Sequence, residues 1–127
     1  MTQQDKQLLL QDLSSRLPYG VIINSNSVSG ELLSIDKSIN GGIVVANRML
    51  SNSVSVNVIE NIKPYLRPMS SMTEEEKNEH FGRTMTIDIV QTSKEVIHWL
   101  NKHHFDYCGL IEKGLALEAP KDMYKID

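Results

Sequence analysis

The chain has 127 residues, 40% of them hydrophobic and 23% charged, which allows one packed domain and speaks against a disordered chain. The net charge is -3, and neither residues 1–60 (four basic, five acidic) nor residues 61–127 (nine basic, eleven acidic) form a basic half. This excludes bulk attraction to a phosphate backbone or an anionic membrane. Cys108 is the only cysteine, so no disulfide can form within the chain.

In chain order, Leu9, Leu10, Leu13 and Leu17 recur at three- and four-residue spacing, predicting an amphipathic helix over 1–17 capped by Thr2 and ended by Pro18 and Gly20. The apolar run within it is too short for a signal-peptide core or a membrane span, so no membrane and a cytoplasmic location are expected. From 20 to 60 short Val and Ile runs alternate with Asn, Ser and Gly, predicting four strands near 21–24, 31–36, 43–47 and 53–59. In the last, Val54, Val56 and Val58 alternate with Ser53, Ser55 and Asn57, which puts the valines on one face of a sheet.

Pro64 and Pro68 predict an extended connector over 62–68. Thr73 and Glu76 then form a capping box, opening a helix that Gly82 ends. A strand over 86–90 is expected next, then a helix opened by a second box, Thr92 and Glu95, with Val96, Trp99, Leu100 and His103 on one face. Residues 105–110 carry no clear pattern, 111–113 read as a helical turn stopped by Gly114, and 115–119 as a strand. The expectation is a single domain, 1–127, of α+β class. It comprises an N-terminal helix, a strand cluster over 20–60 forming a small antiparallel, partly closed barrel of SH3-like kind, and a mainly helical part over 61–127 with one or two short strands.

Reactive side chains concentrate in His98, His103, His104, Asp106 and Cys108. His98 lies five and six residues from the other histidines, which rules out paired ligands on one helix face. His104, Asp106 and Cys108 are the candidate metal set, because alternate residues of an extended stretch share a side. The same three residues can be read as base, orienting acid and thiol nucleophile. The competing reading is structural: imidazoles at a helix C-terminus and a small half-buried thiol. No phosphate loop or dinucleotide fingerprint is present, and no cofactor is expected. Tyr65 and Arg67, between Pro64 and Pro68, are candidate interaction residues, with a rigid connector as the alternative.

The stretches IKPYLRPMSSMTEEEK (62–77) and WLNKHHFDYCGLIEKGLALEAPKDMYK (99–125) resemble segments of a group of uncharacterised small proteins of gut Bacteroides and their phages or mobile elements. In that group the position matching Cys108 is often arginine. The resemblance implies a bacterial or phage-infected cytoplasm and no mechanism. Three functions follow as expectations. The first is a non-catalytic protein-interaction or accessory module; the second is a small barrel binding nucleic acid, which the overall acidity disfavours; the third is a metal- or thiol-dependent enzyme using His104, Asp106 and Cys108.

Overall fold

A computed structural model of the chain describes residues 1–49, 51–82 and 89–124. Helix α1 (Gln3–Arg16) starts at a complete capping box in which Thr2 accepts from the Asp5 amide and the Asp5 carboxylate accepts from the Thr2 amide. It passes into a 3₁₀ turn (Leu17–Tyr19) and ends on left-handed Gly20. Strands β1 (Ile22–Ser25), β2 (Val28–Lys37), β3 (Ile43–Arg48) and β4 (Val54–Val58) follow as an antiparallel meander, in the four places that the alternation indicates.

A 3₁₀ turn, Ile59–Asn61, leads into β5 (Ile62–Leu66), which pairs antiparallel with β1 on the far side of the meander. The short β6 (Leu117–Glu118) adds in parallel to β5, giving the order β4-β3-β2-β1-β5-β6. In a flat sheet β4 and β5 would lie about 19 Å apart, four strand spacings, yet the link from Val58 to Ile62 spans at most about 14 Å. The sheet must therefore curl, and a contact between Asn26, at the β1–β2 turn, and Asn57 on β4 (3.1 Å) reflects that curl. It is nevertheless not closed into a barrel, and the fold is α+β.

The segment 62–68 departs from the sequence reading through tertiary context. The predicted connector 62–68 begins as a strand inside the sheet. Pro64 is tolerated there because its partner Ile23 turns its own backbone groups toward β2, in phase with the Leu32 N–H to Val21 C=O bond (2.9 Å), so the missing N–H of Pro64 points away from β1.

The leucine face of α1 packs into the concave side of the sheet. Leu9 and Leu13 are fully buried against Val21, Ile23, Leu32, Val45, Ile59, Ile62 and Leu66, with Leu110, Leu115 and Ala116 closing the same core. The leucines are thus satisfied within the chain. Gly30 on β2 is required by a close approach, since a Cβ there would run into the backbone of Arg48 and the Asn47 amide.

Helices α2 (Glu74–Gly82) and α3 (Ile89–Lys102) form the second half. The Thr73–Glu76 capping box is present in both directions. The strand expected over 86–90 is corrected in part: Ile89 and Val90 belong to α3, and 86–88 lie outside the described residues. Thr92 therefore sits inside the helix and does not start it; β-branched residues carry only a weak strand preference, too small to fix the element type of so short a run. Trp99 and Leu100 bury with Met72 and Phe105 in a second, smaller core.

Candidate functional site

The segment after α3 holds most of the candidate chemistry. Phe105 N–H bonds to Leu100 C=O (2.9 Å) and His104 N–H to Asn101 C=O (3.1 Å), the paired bonds that close a helix C-terminus around a left-handed residue. That residue is His104 (φ 64), where glycine is usual. The conformation is held from both sides: Arg67 N–H bonds to His104 C=O (2.7 Å), Asp106 N–H bonds to Arg67 C=O (2.8 Å), and the imidazole stacks on Tyr124 at 3.8 Å. Burial, with the positive charge of Arg16 adding to it, pushes the His104 pKa down to about 4, so the ring is neutral at pH 7.

The other two members of the predicted set do different jobs. Both carboxylate oxygens of Asp106 accept backbone amides, Leu110 at 2.8 Å and Ile111 at 3.0 Å, and so cap the turn that ends at left-handed Gly114. Cys108 is half-buried, and burial together with the Asp12 charge raises its thiol pKa, the opposite of what activates a nucleophile. Among the described residues no three His, Cys, Asp or Glu side chains are grouped to hold a metal ion. His98 lies elsewhere, its Nδ1 3.0 Å from the Tyr19 hydroxyl.

Beneath this segment is a fully buried ion pair. Arg16 Nε and Nη2 donate to Asp12 at 2.6 and 3.2 Å, and Nη2 also donates to Phe105 C=O at 2.5 Å. Burial raises the Asp12 pKa against the opposing hydrogen bonds and charge of Arg16, so the pair carries a desolvation cost, and through Arg16 it ties the Phe105 carbonyl to α1. Sequence spacing alone did not reveal the pair: positions 12 and 16 flank the Leu9 and Leu13 face, at the edge where a helix ordinarily turns toward solvent.

Tyr65 and Arg67 are engaged within the fold. The Tyr65 hydroxyl is bonded by Asn24 (3.2 Å) and Ser29 (3.3 Å). Arg67 grips the Glu76 carboxylate with two nitrogens (2.7 and 2.8 Å) and lies 4.2 Å over the Phe105 ring. Those bonds, opposed by burial, hold Glu76 at a pKa of about 2. Arg67, Glu76, His103, Lys102 and Tyr124 line a cleft of about 760 Å³ whose walls carry both charge signs.

An exposed apolar row, among the described residues, lies on β4. Val54, Val56 and Val58 are 58%, 61% and 43% exposed on the convex face, beside Val44 and Ala46 of β3. Met49 N–H bonds to Ser53 C=O at 2.8 Å, which sets the phase of the β3–β4 ladder: Ser55 and Asn57 bond to β3, and Val54, Val56 and Val58 turn their own N–H and C=O groups outward. Among the described residues no strand pairs with that edge. The strand has no charge, proline or bulge, the devices by which edges are ordinarily blunted. Alternation in the sequence showed that the valines share a face; only the curl of the sheet shows that the face is open.

The chain matches no protein-family model, and it has no match among the curated proteins or the solved structures compared with it. Among the described residues no helix is long and apolar enough to cross a membrane.

Proposed function

We propose that the protein is a non-catalytic interaction module that pairs its β4 edge with an extended strand of another protein chain. One observation carries this reading: three valines whose side chains are exposed and whose backbone groups all point out from an unblunted edge. Strand addition uses those groups for affinity and alternate side chains for specificity. The fitting partner segment is uncharged and β-branched at alternate positions, since β4 offers valine contacts and nothing for a charged side chain to pair with. β4 carries no basic or aromatic residue, which favours protein over nucleic acid. The roles of His104 and Asp106 in backbone geometry, and the raised pKa of the Cys108 thiol, favour binding over catalysis. The resemblance of 62–77 and 99–125 to small Bacteroides and phage proteins supports an accessory role in a bacterial or phage-infected cytoplasm.

The test compares wild type with Val56→Lys as baits in nuclease-treated host lysate, followed by hydrogen exchange on the recovered complex. A protein retained by wild type and lost by the variant, with β4 amides protected in the complex, supports the reading. Identical captures by both baits, or protection elsewhere, overturn it.

A further inference from the structure

Resting on that reading, we infer that the strand received by β4 is β4 of a second copy, in an antiparallel pair centred on Val56. The phase of the ladder makes the edge self-complementary. A two-fold axis at Val56 places Val56 opposite its mate and Val54 opposite the mate's Val58, and these are the residues whose N–H and C=O groups point outward. Every free main-chain donor and acceptor of the three valines then meets one from the other copy. A shift of one residue would set outward groups against residues already bonded to β3.

Side chains and charge agree with this register. The valines of both copies join Val44 and Ala46 in one apolar patch, while Ser55 faces the mate's Asn57 on the concave side. The strand is uncharged, and Arg48, the charged residue of β3 aligned with Val54, stays roughly 20 Å from its mate, beyond the screening length at physiological salt. A five-residue strand pair buries less than the roughly 1,200 Å² of a standard interface, so the dimer forms reversibly, at micromolar concentrations.

The experiment is sedimentation velocity on the full chain from about 1 to 200 µM, with Val56→Lys as control and circular dichroism to verify its fold. Wild type should move from 14.4 kDa toward twice that mass with rising concentration, and the variant should stay monomeric. Register is tested by oxidative crosslinking in a Cys108→Ser background. Val56→Cys should crosslink to itself, since paired Cα atoms lie about 5.5 Å apart, whereas Val54→Cys should crosslink only when mixed with Val58→Cys. A monomer at every concentration overturns the inference, as does equal self-crosslinking of Val54→Cys and Val56→Cys. If wild type is monomeric while Val56→Lys still loses a captured protein, the second copy is excluded and the docking edge stands; if neither effect appears, both fall.

Discussion

Replacing Asp12 by Ala should be among the most damaging single changes in α1, although the position reads as an ordinary helix-surface acid. The carboxylate is the partner of two Arg16 nitrogens, at 2.6 and 3.2 Å, in a site with no solvent exposure of either side chain. Deleting it leaves a buried guanidinium whose Nη2 keeps only Phe105 C=O and whose Nη1 has no partner among the described residues. Breaking such a pair from one side costs about 3–5 kcal/mol, a large part of the 5–15 kcal/mol typical of a domain. At this chain length that is a fall in Tm of roughly 12–20 °C. The double variant Asp12→Leu with Arg16→Met removes both charges and should recover about half of the loss. It should stay about 1–3 kcal/mol below wild type, because Phe105 C=O then lacks its donor. Urea denaturation followed by circular dichroism measures all three proteins. A loss below about 1 kcal/mol for Asp12→Ala, or a double variant no better than the single, would refute the account of a dry, mutually dependent pair.

Tyr124→Phe should cost about 2–4 kcal/mol, since its hydroxyl accepts Ile22 N–H (2.9 Å) and donates to Tyr65 C=O (2.7 Å), standing in for a ladder pair between β1 and β5; unchanged exchange at the Ile22 amide would count against this. The folded pKa of His104, about 4, lies below its ordinary 6.5, so the stability it contributes is complete above pH 6.5 and is lost as pH falls toward 4. Melts between pH 7 and 5 should fall accordingly, by about 2 kcal/mol in all, and His104→Asn, which tolerates the left-handed backbone, should flatten the slope. Cys108 should react with iodoacetamide more slowly in the native protein at pH 8 than in urea, as its raised pKa requires; faster native labelling would revive the thiol nucleophile.

Local physics made much of the chain legible from its sequence. Helix starts were visible at Thr2, as a cap, and at Thr73, as a capping box, because capping needs only residues two or three apart, although the same pattern at Thr92 and Glu95 marked no start; the four-strand meander was visible because side-chain alternation is a property of the extended backbone itself. His104 was recognisable as belonging to a helix C-terminus, but its left-handed backbone was hidden. No glycine marks the site, and what holds it, Arg67 and Tyr124, lies 37 and 20 residues away in sequence. The same holds for 62–68, where two prolines argue locally for a connector and the pairing with β1 makes a strand of its first part. Burial of Asp12 and Arg16, exposure of the valines and the outward phase of β4 are likewise tertiary facts. The sequence determined which residues share a face; only the curl of the sheet and the packing of α1 on its concave side decided which faces are dry, and so where a partner can bind.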